Sequence, residues 1–353
     1  MTLDDIETPA VLIYRDRVEE NLRRAQDYAD AHGLTLRPHI KTHKLPSLAA
    51  RQVELGACGI TCQKLGEAEV MADAGLTDIL LTFNILGAAK LKRLKALNER
   101  IALAVVADSA ETIAGYAGTL AGAAKPLTVL VECDTGMGRC GVQSAEEAMT
   151  LARRIDAAEG LSFGGLMTYP PAGRPREAAD WLANAQRLLE DADLDVPTVT
   201  SGGTPDIWQA HEAAAVITEY RPGTYVYMDR SLIARGVCDV DACALRVLAT
   251  VVSAPTAERV VLDAGSKTLS SDTLGLDGFG YLPAYPEARI ASLSEEHGVV
   301  DVAACAVRPA IGERLEVIPN HACVVTNLFD AVHLVAGDGS VERVPVAARG
   351  RVD

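Results

Sequence analysis

Lys41 lies in the run Arg37-Pro38-His39-Ile40-Lys41-Thr42-His43-Lys44, between two segments of helical spacing. A short extended stretch in that setting reads as one strand of a βαβ unit. On a strand, alternate residues share a face, so His39, Lys41 and His43 are expected to project together. Two imidazoles and an amine are too polar a set for a barrel core. A lysine at a strand end becomes a Schiff-base nucleophile when desolvation or neighbouring positive charge lowers its pKa. Lys44 competes for that role but falls on the other face or beyond the strand. The bland alternative is a basic loop tip on an acidic protein.

Other stretches carry complementary chemistry. Ser201-Gly202-Gly203-Thr204-Pro205-Asp206 follows an extended run and opens a helix. Paired glycines let a phosphate approach backbone N–H groups at a helix start; the plain reading is a βα turn with Thr204 as N-cap. Arg221-Pro222-Gly223-Thr224-Tyr225 supplies a second glycine turn, and phosphate sites in barrels often combine the last two βα loops. Asp134 to Gly141 is a glycine-rich loop presenting Arg139, a planar and permanent cation suited to a carboxylate or phenolate. Tyr169 falls at a strand end, where it could stack on a flat cofactor or plug the barrel. His321-Ala322-Cys323 places imidazole and thiol two apart, on one face if the segment is a strand. That pair suits zinc or a similar borderline metal, although two ligands leave a structural site unclosed.

The elements that must position these residues alternate. Through about residue 235, strand-like runs (Ala10–Tyr14, Cys58–Cys62, Ile79–Phe83, Ile101–Ala107, Leu127–Cys133, Leu161–Thr168, Thr198–Thr200) are interleaved with helical spacing. This is the rhythm of a parallel (β/α)8 barrel, an α/β fold with its active site at the strand C-terminal ends. No GxGxxG follows the first strand, which disfavours a doubly wound sheet. After Gly236, short strands separated by Gly, Pro and Ser turns predict a second, mostly β domain. The expected division is residues 8–235 and 236–353, with 1–7 able to join the second.

The 353 residues carry 49% hydrophobic side chains and a formal charge of −15, which argues against nucleic acid or an anionic membrane as partner. No apolar run reaches membrane-span length. Eight scattered cysteines without a CxxC pair read as reduced thiols, hence a cytoplasmic protein.

Together the Arg37–Lys44 run, Cys62-Gln63-Lys64 with Glu67-Ala68-Glu69, Asp134–Gly141, Ser201–Pro205, Arg221–Asp229 and His321-Ala322-Cys323 resemble the metal-activated D-threonine aldolase and D-serine dehydratase family. These are pyridoxal-phosphate (PLP) enzymes of the alanine racemase fold type, and the resemblance spans nearly the whole chain. It implies PLP on Lys41, with His39, Tyr169 and Arg139 in the catalytic set. Arg139 would lie on the phenolate side, Tyr169 near the ring and Arg221 near the pyridine nitrogen. Gln63, Ser201, Gly202, Gly203, Thr204, Gly223, Thr224 and Tyr225 would complete the cofactor site. It also implies a divalent metal, zinc or else manganese, on His321 and Cys323. The partners implied are a small D-amino acid substrate and a second copy of the chain in a head-to-tail homodimer.

Two departures bear on the reaction. The aldolases of this family usually show histidine and aspartate at the metal pair, whereas histidine with cysteine resembles the eukaryotic D-serine dehydratases. Glu132 stands where alanine racemases carry a carbamylated lysine, and no racemase-type tyrosine loop is evident. The resemblance therefore implies a lyase on a β-hydroxy-D-amino acid, giving keto acid and ammonia. Retro-aldol cleavage to glycine and an aldehyde is the alternative, and a racemase or a non-catalytic PLP carrier is disfavoured.

Overall fold

The computed structural model describes residues 2–353 and divides into two compact units, each built from separate stretches of chain. One comprises residues 24–41, 46–223 and 351–353; the other comprises the N-terminal stretch to Arg23, residues 42–45 and 224–350. The single cut near Gly236 that the sequence suggests is thus replaced by an interleaved division. The reason lies in the first strand, β1 (Ala10–Tyr14). It pairs antiparallel with β10 (Leu245–Thr256) and parallel with β15 (Ala331–Val335) of the β unit, where barrel membership was expected. A continuous apolar run such as Ala-Val-Leu-Ile suits any strand buried on both faces, so its pattern does not name the sheet it joins.

The barrel unit holds β2 (Thr35–Leu36), β3 (Ile60–Cys62), β4 (Asp78–Leu81), β5 (Ala102–Ala107), β6 (Leu127–Cys133), β7 (Leu161–Thr168), β8 (Thr198–Ser201) and β9 (Glu219–Tyr220). Their order is β2-β9-β8-β7-β6-β5-β4-β3 and every pairing is parallel. A parallel bridge from His39 to Thr61 joins the two ends of that order, as the (β/α)8 reading requires. Helices intervene at Pro46–Glu54, Leu65–Asp73, Ala88–Arg100, Ala110–Leu120, Ala145–Asp156 and Pro175–Glu190. Their starts are legible: Ser109 and Ser144 accept from the N–H groups of Thr112 and Glu147, and Pro175 opens the last. Inside the barrel, Leu80, Val106, Leu130 and Met167 pack into one apolar layer.

The β unit holds β10 (Leu245–Thr256), β11 (Arg259–Leu262), β12 (Arg289–Leu293), β13 (Gly298–Asp301), β14 (Arg314–Val317), β15 (Ala331–Val335) and β16 (Val341–Pro345). They run in the order β12-β13-β11-β10-β1-β15-β16, with β14 on β10. Val11, Leu12 and Ile13 of the inner strand β1 are at most 1% exposed. The only helices between these strands are short, Ser266–Leu269 and Ala322–Leu328. No helix among the described residues is long and apolar enough to cross a membrane, and no disulfide links the cysteines.

Candidate active site

The Lys41 stretch does not form the strand its alternation suggests. β2 ends at Leu36, and Ile40–Thr42 is a single 3₁₀ turn. Such a turn rotates about 120° per residue, so residues two apart do not share a face. Pro38 favours this break, because it removes one N–H from any continuing ladder. His39 faces Gln63 instead, its Nε2 3.1 Å from Gln63 Oε1. Gln63 Nε2 donates to the Thr82 carbonyl, and His39 Nδ1 accepts from the Lys41 N–H. These partners place the ring proton on Nε2. His43 is fully buried in the β unit and its Nδ1 accepts from the Leu45 N–H, so it turns the chain. Lys44 is buried with a φ of 56°, and its Nζ donates to the Ala348 carbonyl. Lys44 is thereby committed to structure, while Lys41 is only partly buried.

Lys41, Tyr169 and Arg139 come together. Lys41 Nζ lies 5.7 Å from the centre of the Tyr169 ring, and the Arg139 guanidinium carbon 5.3 Å from it. Cation–π attraction at such distances is modest but orienting. Gly203 adjoins the same ring: a Cβ there would sit 3.0 Å from Tyr169 Cε2. Gly202 has a φ of +99°, and a Cβ on it would run into the Tyr220 ring at 2.1 Å, so only glycine fits. Thr204 is not the N-cap. Gly203 holds that position, and the Thr204 hydroxyl accepts from the Gly223 N–H, tying the two glycine turns together. The Ser201 carbonyl accepts from the Arg221 N–H.

Arg221 is buried and directs both Nη groups at neutral acceptors, the Thr200 hydroxyl (2.6 Å) and the Thr168 carbonyl (2.5 Å). Burial pulls its pKa down to about 10. Glu132, also buried, is pushed up to about 7 by burial and then by Asp108, against the pull of Arg139 and Arg221.

The β unit gathers the second set. His321 and Cys323 are not on a strand: His321 is the N-cap of the helix Ala322–Leu328. A side-chain hydrogen bond links them all the same. His321 Nδ1 is 2.6 Å from Asp272 Oδ2. Cys323 Sγ has hydroxyl neighbours in Thr42 (3.1 Å) and Thr224 (3.5 Å). Thr224 and the buried Tyr225 fall in this unit with Cys323, whereas Gly202, Gly203 and Gly223 fall in the barrel unit. Asp229 accepts from the Ala322 N–H at the helix start. Burial would lower the His321 pKa, but Cys323, Asp272 and Asp229 together hold it up at about 9. Sequence reasoning missed Asp272 and Thr42. Asp272 is 49 residues from His321 in an irregular loop, and nothing local connects them.

Residues 13–231 match the alanine racemase N-terminal domain and residues 244–335 the serine dehydratase domain. The chain is therefore of the alanine racemase fold class, with a second domain of dehydratase type. It is 34% identical to a D-threonine aldolase from Arthrobacter, over 98% of this chain and 93% of that one. It is 33% identical to a D-threo-3-hydroxyaspartate dehydratase from Delftia, over 97% of each. The crystal structure of a D-threonine aldolase from Filomicrobium marinum superposes with a TM-score of 0.92 at 34% identity, covering 100% of this chain and 98% of that chain. Solved variants of a D-threo-3-hydroxyaspartate dehydratase replace a histidine and, two residues on, a cysteine; the cysteine variant is in a metal-free form. The chain belongs to the D-threonine aldolase and D-serine dehydratase family of PLP-dependent lyases.

The barrel residues fit PLP. An amine, an aromatic ring, two guanidiniums and a glycine pair that a Cβ would obstruct match the aldehyde, ring and phosphate of that cofactor. His321 and Cys323 offer nitrogen and sulfur donors, with Asp272 backing the ring as an outer partner does in metal sites. Among the described residues no group of three or more His, Cys, Asp or Glu is arranged to hold a metal.

Proposed function

We propose that this lyase removes water from a β-hydroxy-D-amino acid, giving a keto acid and ammonia, with PLP held by Lys41 and a divalent metal, zinc, held by His321 and Cys323. The observation that carries this reading is His321-Ala322-Cys323, which has the residue types and spacing of the pair altered in the solved dehydratase variants. Thiolate and imidazole favour zinc over manganese. The proposal extends to a head-to-tail homodimer in the cytoplasm, on the family resemblance and the reduced cysteines.

The chain's own groups divide the work. Bound PLP would supply the electron sink for charge developing at Cα, and the metal a Lewis acid for the β-hydroxyl, since hydroxide leaves poorly. Lys41 Nζ would hold the cofactor and, once free as an amine, would be the base that takes the Cα proton. The Tyr169 ring steadies the Lys41 amine. Arg139 offers charge to an anionic oxygen of cofactor or substrate. His39, locked by Gln63, fixes the turn that carries Lys41. Gly202, Gly203 and Gly223 would hold the phosphate end by backbone approach.

Retro-aldol cleavage to glycine and aldehyde is the second reading, favoured by the 34% identity to the Arthrobacter aldolase. Incubation with D-serine, D-threonine and D-threo-3-hydroxyaspartate in the presence of zinc or manganese decides between them. Keto acid with equimolar ammonia is the expected outcome; glycine as the main product hands the case to the aldolase.

A further inference from the structure

Arg139 rides on a loop whose composition favours motion. Gly136, Gly138 and Gly141 punctuate it, and glycine loses the most conformational freedom on being ordered. Arg139 itself is exposed. Its guanidinium carbon nevertheless lies 5.3 Å from the centre of the Tyr169 ring. An exposed cation–π contact is too weak to order such a loop alone. The backbone beneath Arg139 is held by other groups.

Two carboxylates at the ends of neighbouring strands do the holding. Asp134 directly follows β6. Its Oδ1 accepts from the Gly136 N–H at 2.9 Å and the Gly138 N–H at 3.1 Å, and its Oδ2 accepts from Gly138 as well. Asp108 directly follows β5, and its Oδ2 accepts from the Gly141 N–H at 3.1 Å. Arg139 and Cys140 are thus the residues left between two N–H groups fastened to carboxylates. The Gln143 side-chain amide closes the loop, donating to the Gly141 carbonyl at 2.8 Å and to Asp134 Oδ2 at 3.4 Å. Gly141 has a φ of +114°, and a Cβ on it would lie 2.5 Å from the Asp134 N and the Cys133 carbonyl carbon. A last tie runs to the strand end that carries Tyr169. The Thr168 hydroxyl donates to the Cys133 carbonyl at 2.7 Å and therefore accepts from the Thr135 hydroxyl at 3.0 Å.

We propose that Asp134 and Asp108 are positioning residues of this lyase: their carboxylates fasten the backbone on either side of Arg139, so that its guanidinium stays beside the Tyr169 ring to receive an anionic oxygen of the cofactor or the substrate. The proposal rests on the lyase reading above. Charge strengthens the Asp134 bonds. Burial would raise its pKa, but the Gly138 and Gly136 N–H groups and the Gln143 amide hold it below the ordinary carboxylate value. Asp134 is therefore ionised at neutral pH, and hydrogen bonds to an ionised acceptor are about twice as strong as neutral ones.

Two measurements test it. In the protein as purified, amide hydrogen exchange over residues 134–141 should be faster in Asp134→Ala than in the wild type, with β5, β6 and β7 equally protected in both. Asp134→Asn keeps one oxygen for the two N–H groups and should restore most of the protection. Equal exchange in wild type and Asp134→Ala overturns the proposal. In the PLP-loaded protein, a double-mutant cycle with Arg139→Ala shows whether the effect travels through the guanidinium. Asp134→Ala should lower kcat/KM by about 10- to 100-fold, the scale of a misplaced group. Asp108→Ala, which frees a single N–H, should lower it less. Adding Asp134→Ala to Arg139→Ala should cost nothing further. A PLP absorbance band shifted alike in Asp134→Ala and Arg139→Ala puts the oxygen on the cofactor; a raised KM with an unshifted band puts it on the substrate carboxylate. Neither change, or losses that add, overturns the proposal. If the wild type takes up no PLP on borohydride fixation, the function reading fails instead, and the exchange measurement still decides whether Asp134 holds the loop.

Discussion

The two chemical centres handle charge in opposite ways. In the barrel, Arg221 is met by a hydroxyl and a carbonyl, and Lys41 and Arg139 by the face of Tyr169. Three cationic side chains are gathered there, which suits a phosphate and a carboxylate as ligands. In the β unit, His321 is surrounded by Asp272, Asp229 and Cys323, so its proton is over-compensated. A divalent cation is the natural replacement for such a proton, because metal binding at imidazole and thiolate releases protons. On the proposed reading one centre takes an anion and the other a cation, and each can be broken separately.

The largest effect should come from Lys41→Ala. On the proposed reading it removes the covalent anchor and the proton acceptor together, costing about 10²–10⁴-fold in kcat from the acid–base role alone. Borohydride should no longer fix PLP to the peptide containing Lys41, while a persisting label on Lys44 would reverse the assignment. Lys44→Ala should instead lower thermal stability, since it deletes the bond to the Ala348 carbonyl.

Cys323→Ala should leave PLP absorbance intact and abolish metal-dependent turnover, an effect larger than the ~10–100-fold typical of an outer-shell partner. EDTA followed by zinc should reproduce the loss and recovery in the wild type. Full activity after exhaustive chelation would remove the cation from the comparison. Cys323→Asp should shift the metal preference towards manganese.

Asp272→Asn tests the backing of the imidazole. It keeps a hydrogen-bond acceptor but removes the charge, and should weaken metal affinity by about 10–100-fold. Isothermal titration with zinc at fixed pH would measure it, and an unchanged Kd would make Asp272 incidental.

The smallest effect is expected from Gly203→Ala. Its backbone is extended, at φ −165°, so any residue fits the fold. Only the Tyr169 ring must yield to the new Cβ. PLP affinity should fall about tenfold, or ~1.4 kcal/mol, with melting of the cofactor-free protein unchanged.

The barrel was legible in the sequence because each βα repeat carries its own punctuation, such as Ser109 and Ser144 at helix starts and glycines at strand ends. Lys41 was singled out for a partly mistaken reason. The alternation argument separated it from Lys44, but the segment is a 3₁₀ turn, and Lys44 is excluded by its buried bond to Ala348. His321 and Cys323 were singled out by spacing, although the strand they were placed on is a helix start. The home of β1 and the Asp272 contact were illegible. Both depend on pairings between distant stretches, and neither leaves a periodic trace near its own residues.

The placement of β1 bears on how the chain is made. Its partners are far downstream: Ala10 pairs with Leu248 and Leu12 with His333. At ~5–20 residues per second, a ribosome delivers the first of those partners roughly ten to fifty seconds after β1 emerges. Throughout that interval every strand of the barrel is synthesised while an apolar strand with both edges open waits beside it. Such an edge is a template for mispairing with neighbouring chains. Nascent-chain yield should therefore depend on holdase chaperones more than native stability alone would suggest.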